Sequence, residues 1–250
     1  MKDNTLTDRT FWKSYWENKA DLIYDVPKDI LFGDKLSELI KTYNIKSGIE
    51  LGGFPGYYAV FLKKYFSIKS GLLDYFIHDE LVEQLLKKNG LNKNSLEVFE
   101  EDLFTYTPIE KFQLVYSFGL IEHFDDPKPV LQKHIDFLAD KGILYLTLPN
   151  FKGVNGWVQK NLDPENLTKH NLKTMDLLLI KTSLESLGLD VLENNYVGKF
   201  TVWLENEKNK PWGSKLIKSL IWTTGKIITR PFKLNSRVFS PYLSIVARKK

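Results

Sequence analysis

The segment Gly48-Ile49-Glu50-Leu51-Gly52-Gly53-Phe54-Pro55-Gly56-Tyr57 does most to limit what this chain can fold into. Ile45, Ile49 and Leu51 supply apolar strand positions ahead of the glycines. Behind them, Tyr57 to Phe66 carries apolar residues at helical spacing. The stretch therefore reads as a buried strand, a glycine-rich turn and a helix. Such a turn lets a ligand approach bare backbone, and the helix start offers unpaired N–H groups. Glu50 at the strand end repels a phosphate, so the pattern suits a cationic or hydroxyl-rich ligand.

Strand and helix signals alternate beyond the turn. Gly71 to Asp74 reads as a second strand, and Glu80 to Lys88 as a helix stopped by Asn89-Gly90. Leu96 to Phe99 and Phe112 to Ser117 read as strands three and four. The spacing predicts a helix from about Pro127 to Leu138, closed by Asp140-Lys141-Gly142, then a fifth strand, Ile143 to Leu148. A long loop from 149 to about 170 leads to a helix through Leu187, a sixth strand at Leu189 to Leu192, and a last strand at Pro241 to Ala247. This alternation predicts an α/β protein with a doubly wound, mostly parallel sheet. Ligands of such sheets sit outside the carboxyl ends of the strands, beside strand one. Glu50, Asp74, Asp102 and the segment after Ser117 all fall there. Residues 1–44 read as an N-terminal helical cap and 45–250 as the sheet domain, with 197–240 as a basic amphipathic insertion.

At 250 residues the chain can bury one large core. It has no cysteine, which excludes disulfides, thiolate metal sites and cysteine nucleophiles and fits a reducing, cytoplasmic setting. Met1 to Thr5 is polar and lacks the apolar core of a signal peptide, and no apolar run approaches the roughly 20 residues that span a bilayer. Of the 35 Lys and Arg, eleven lie between Lys208 and Lys250, where there is no Asp or Glu; the remainder holds 24 basic against 31 acidic residues. A mildly acidic body thus carries a basic C-terminal segment, which marks either an anionic contact or simple solubility.

Several runs occur in a telling order: Glu50-Leu51-Gly52-Gly53-Phe54-Pro55-Gly56, Asp74, Glu101-Asp102-Leu103, Phe112 through Ser117 to Glu122-His123-Phe124, and Gly142 through Leu148 to Pro149-Asn150. Over about residues 45–195 the chain resembles the class I S-adenosylmethionine-dependent methyltransferases, especially the small-molecule branch that includes ubiquinone-biosynthesis and sugar methyltransferases. The resemblance implies a Rossmann-like methyltransferase fold of seven strands with an antiparallel last strand, S-adenosyl-L-methionine as cofactor, and a transferase acting on a sugar, glycan precursor or other small molecule, with O-methylation as the reaction. It implies that Gly52, Gly53 and Gly56 shape the turn against the methionine part, that Glu50 orients that part, and that Asp74 holds the ribose hydroxyls. Asp102 then meets the adenine amino group, Leu103 packs on the ring, and Ser117 and Phe118 border the methionine end. The family turn usually reads acid-x-Gly-x-Gly-x-Gly; here position 54 is Phe, so Gly53 is expected to take the positive φ. Local readings stay open beside these: Glu50 capping the helix, Asp74 as a loop acid, Asp102 capping a turn. So do two other functions, a methyltransferase-like domain that binds without turnover and a nicotinamide-dependent oxidoreductase.

A hydroxyl acceptor calls for a base. His78 and His134 sit on helices and read as structural. His123, after strand four, and His170, after the long loop, are the candidates, with His170 favoured for the acceptor. Trp12, Tyr15 and Trp16 form either a lid or a packing face. No His/Asp/Glu cluster shows metal-ligand spacing. Trp212 to Arg230 projects as a basic amphipathic helix that suits a pocket cover, a partner, or a peripheral membrane or lipid-linked substrate contact through 212–230 at the inner face of the membrane. The basic residues form no aromatic-interleaved groove, which argues against nucleic acid.

Overall fold

The computed structural model describes residues 5–231 and 235–250; the first four positions of the helical cap, and 232–234 of the insertion, lie outside them. Seven strands form one sheet: β1 (Ser47–Leu51), β2 (Lys69–Asp74), β3 (Glu97–Glu100), β4 (Phe112–Phe118), β5 (Leu138–Pro149), β6 (Leu189–Val197) and β7 (Tyr242–Lys249). Their order is β3-β2-β1-β4-β5-β7-β6. The first five run parallel, and β7 inserts antiparallel between β5 and β6. The order reverses between β1 and β4, which opens the ligand crevice predicted for a doubly wound sheet.

The strands were legible because both faces of the sheet are covered, so apolar residues run almost continuously. In β5, Leu144 and Leu146 face the layer of α5 (Pro127–Phe137) and α8 (Leu177–Ser186), whereas Ile143 and Tyr145 face the layer of α2 (Gly33–Thr42), α3 (Tyr57–Phe66) and α4 (Asp79–Lys88). Two cores result, one on each face. β5 begins earlier than predicted: Leu138 pairs with Phe112 before a register shift, so the Asp140-Lys141-Gly142 turn lies within the strand as a bulge and does not end the helix. β6 runs on to Val197, because its Glu193-Asn194-Asn195 stretch pairs with β7 as a polar sheet edge.

Two further predictions need correction. The long loop after β5 contains α6 (Val154–Leu162) and α7 (Pro164–Leu167). The buried face of α6 is Asn155, Gly156, Val158 and Gln159, so apolar periodicity could not reveal it. The N-terminal cap is helical only at α1 (Arg9–Glu17) and α2. The stretch between them is pinned by polar contacts. Tyr57 Oη donates to the Leu22 carbonyl at 2.8 Å and Tyr65 Oη to that of Val26 at 2.8 Å. Asn89 Oδ1 accepts the Val26 amide at 2.7 Å, and its Nδ2 donates to the carbonyls of Tyr24 and Leu85. Asn89→Ala leaves the Val26 amide unpaired and is expected to cost about 2–3 kcal/mol; urea denaturation checks this, and an unchanged midpoint contradicts it.

Candidate cofactor and acceptor site

Glu50 reaches the carboxyl end of the sheet but turns away from the crevice. Its Oε2 accepts the Ala59 amide at 2.9 Å, which caps the first turn of α3. Burial pushes the carboxyl up to about 8, opposed by the amides of Ala59 and Tyr58. Gly53 makes room for this contact, since a Cβ there stands 2.3 Å from the Glu50 carboxyl carbon. The positive φ falls on Gly52 (64°) and Gly56 (94°), not on Gly53 as the turn pattern suggested. Phe54 is 2 % exposed and packs against Trp16 and Phe76, so the departure from the family pattern does not fill the crevice.

Above the turn lies a cavity of about 610 Å³, within the usual range for small-molecule sites. It gathers Gly52, Asp74, Asp102, Leu103 and His123 from four separate strand ends. Leu120 stands over Gly52, where an added Cβ would lie 2.6 Å from it. Asp74 is nearly buried. Its Oδ2 accepts the Phe54 amide at 2.9 Å and its Oδ1 the Phe76 amide at 3.2 Å. Burial nevertheless holds it up at about 6. Asp102 Oδ1 accepts the Phe104 amide at 2.8 Å, so it holds its own turn and lines the cavity as well. Glu50, Gly53, Gly56, Ser117 and His170 do not line the cavity. Gly56 instead starts α3, with Leu72 2.9 Å from where its Cβ would be. Ser117 is a clear correction: strand alternation turns it toward α5, where its hydroxyl bonds His134 Nε2 at 2.8 Å. Phe118 packs among Phe32, Tyr58 and Tyr145 on the opposite face.

The fold brings together a set that spacing concealed. A carboxylate oxygen of Glu122 and one ring nitrogen each from His123 and His170 lie within 4.8 Å of one another. Asn171 staples the two segments, donating its amide to the Glu122 carbonyl at 2.7 Å and its side chain to the carbonyls of Phe124 and Asp125. Glu122 Oε2 is buried without a hydrogen-bond partner among the described residues, and burial raises its carboxyl to about 8. Nδ1 of His123 donates to the Lys169 carbonyl at 2.9 Å, and Nδ1 of His170 to that of Asn166 at 2.7 Å, which leaves each Nε2 its lone pair. Burial pushes His123 down to about 3 and lowers His170, so both rings stay neutral at physiological pH. One carboxyl and two neutral imidazoles can move a proton or, once the carboxyl gives up its own, ligate a divalent ion. The set shows no metal-ligand spacing in the sequence because His170 is remote in the chain and meets Glu122 and His123 only in the fold.

The α1 helix roofs the cavity. Trp12 and Trp16 line it, and Trp12 meets the His123 ring edge-on at 5.0 Å. The helix has no fully buried residue. Arg9 pairs with Glu100, Lys19 with Glu205, and the Leu6 amide donates to the His123 carbonyl. The lid reading and the packing reading are therefore one: the aromatic face that seats α1 also closes the site.

A family model described as a methyltransferase domain matches residues 27–194, more than half of the chain. The chain belongs to this family and is a class I S-adenosylmethionine-dependent methyltransferase. The oxidoreductase reading falls with that result. A candidate sarcosine dimethylglycine methyltransferase from Galdieria sulphuraria matches with a TM-score of 0.57 and 17 % identity, over 97 % of this chain and 98 % of its own. The plantazolicin methyltransferase BpumL, in complex with a triazolic desmethylPZN analog and SAH, matches at 0.57 and 11 %, over 97 % and 90 %. An O-methyltransferase family protein from Burkholderia thailandensis matches at 0.58 and 14 %, over 87 % and 55 %. Among curated proteins, none matches by sequence. At these identities the structural likeness carries the fold.

Glu50 supplies a test of the turn. Between about pH 4.5, where an exposed glutamate ionises, and about 8, the native chain keeps a proton that the unfolded chain has lost. Its contribution is therefore full below that window and is lost as pH rises through it. Glu50→Gln should gain on the native protein by a few kcal/mol between pH 5 and 8 in urea denaturation. Parallel stability curves contradict this.

Proposed function

We propose that this methyltransferase methylates a hydroxyl oxygen of a small molecule, with a sugar or glycan precursor as the acceptor class. One observation carries the reading: a single cavity joins the bare Gly52 turn and two strand-end acids to His123 and, behind it, Glu122 and His170. Asp74 suits the two ribose hydroxyls, Asp102 the adenine amino group, and Leu103 one face of the ring. Gly52 admits the methionine part against backbone. When bound, S-adenosylmethionine supplies an electrophilic methyl group on a sulfonium. The chain's own task is then to align the acceptor, exclude water and accept a proton.

Trp12 and Trp16 exclude water from above, and their flat apolar faces suit a sugar ring. His123 takes the acceptor proton at Nε2. The free Nε2 of His170 and the carbonyl oxygen of the protonated Glu122 lie close enough to accept a hydrogen bond from the imidazolium that forms. This reverses the order of the sequence expectation, which favoured His170. An oxygen acceptor is supported by the base that the cavity wall offers, the neutral His123 ring with its Nε2 lone pair free. Glu50, Gly53 and Gly56 act by building the turn.

Calorimetric titration with S-adenosylhomocysteine tests the cofactor assignment. The native chain should bind in the micromolar range, Asp74→Ala should weaken binding at least tenfold, and Trp12→Ala should weaken it less. No binding by the native chain favours a domain without turnover. Once an acceptor is in hand, His123→Ala should leave cofactor affinity within about twofold and lower kcat by about 10²–10⁴. Activity unchanged by a chelator supports proton transfer. Activity lost and then restored by a divalent ion assigns Glu122, His123 and His170 to a metal instead.

A further inference from the structure

The helix α9 (Trp212–Thr229) is amphipathic but faces the wrong way for a soluble surface. Its one buried residue is Gly225. A Cβ there would stand 2.0 Å from Phe200 Cε1, so the glycine lets the helix lie flat on the body. Ser214, Lys218, Ile221 and Thr229 flank it, half-buried. On the opposite side, Trp212 is 76 %, Leu216 42 %, Leu220 59 % and Ile227 69 % exposed. At 3.6 residues per turn these four occupy an arc of about 80° centred opposite Gly225. With Ile217 and Ile228, 42 % and 52 % exposed on one flank, the apolar half of the helix runs from the edge of the body round to its outward side.

We infer that α9 is a docking helix that seats this stripe in the headgroup region of an anionic bilayer. Charge selects the occupant. Eleven Lys and Arg and no Asp or Glu lie between 208 and 250. Lys210 and Lys218 are spent on Asp163 of the body and on Glu207, just ahead of the helix. Lys215, Lys226 and Arg230 have no acid partner among the described residues, and Lys226 lies 3.6 Å over the Trp222 ring. A second copy meeting this face would bring the same cations together with no acid to answer them. A bilayer with anionic lipid offers hydrocarbon for the stripe and phosphates for the cations beside it, and tryptophan favours that boundary.

The docked layer also leads toward the histidines. Ile221 packs with Phe200, Val202 and Leu204, and the adjacent Trp203 meets Phe151, whose ring lies 5.0 Å from His170. A lipid-linked acceptor is the matching substrate class. That step rests on the proposed function; the docking itself does not.

Co-sedimentation of the full chain with phosphatidylcholine vesicles, with and without phosphatidylglycerol, tests the inference. The native chain should sediment with the phosphatidylglycerol vesicles and stay in solution with phosphatidylcholine alone. A variant carrying Trp212→Ser, Leu216→Ser and Leu220→Ser should bind at least tenfold more weakly, with S-adenosylhomocysteine affinity or, failing that, the unfolding midpoint unchanged as a control on folding. A second variant carrying Lys215→Glu, Lys226→Glu and Arg230→Glu should lose binding as well. No sedimentation of the native chain, or equal sedimentation of the serine variant, overturns the inference. So does a concentration-dependent dimer that the serine variant abolishes, which assigns the face to a second copy.

Discussion

The bond between the buried Glu50 carboxyl and the first turn of α3 is the contact on which the site depends. A carboxyl taken out of water needs partners, and here they are amides that a helix start leaves free. Satisfying both fixes where α3 begins relative to β1. Gly53 must then lack a Cβ, and Gly52 and Gly56 must adopt left-handed backbone. Once the turn is set, the Phe54 amide points at Asp74 and orients the carboxylate at the end of the neighbouring strand. One buried acid thus positions a second acid that lines the cavity.

The opposite wall is organised by Asn171. Its three hydrogen bonds hold the segment after α7 against residues 122–125 and so bring His170 to Glu122 and His123. Burial keeps both imidazoles neutral and the carboxyl protonated at neutral pH, while the backbone carbonyls of Lys169 and Asn166 select the tautomer. The lid is built differently. The α1 helix contributes aromatic faces and surface ion pairs but no buried side chain. That places it among the less stable parts of the molecule, as an element that admits a ligand must be.

The fold was largely legible because its signals are local. Parallel strands buried on two faces show as apolar runs, and Gly and Asn mark helix ends. Asp74, Asp102 and Leu103 could be located beside the crevice from sequence because each ends or follows a strand at the switch point. Ser117 failed because one step along a strand reverses the side-chain direction, and the motif gives the position without the face. Glu50 lies at the predicted place, yet its partner is the helix start, which a sequence motif does not separate from a ligand. The Glu122–His123–His170 set was illegible, because His170 reaches it only through the Asn171 staple and the two short helices α6 and α7. Their buried polar faces also hid them.

The most direct measurement is a crystal structure of the complex with S-adenosylhomocysteine. The nucleoside should lie in the cavity beneath Trp12 and Trp16, with ribose hydroxyls on Asp74, adenine between Asp102 and Leu103, the methionine part against Gly52, and the sulfur on the His123 side. Glu50 should remain bonded to the Ala59 amide. A ligand bound elsewhere, or one that draws Glu50 off α3 to reach it, contradicts the account.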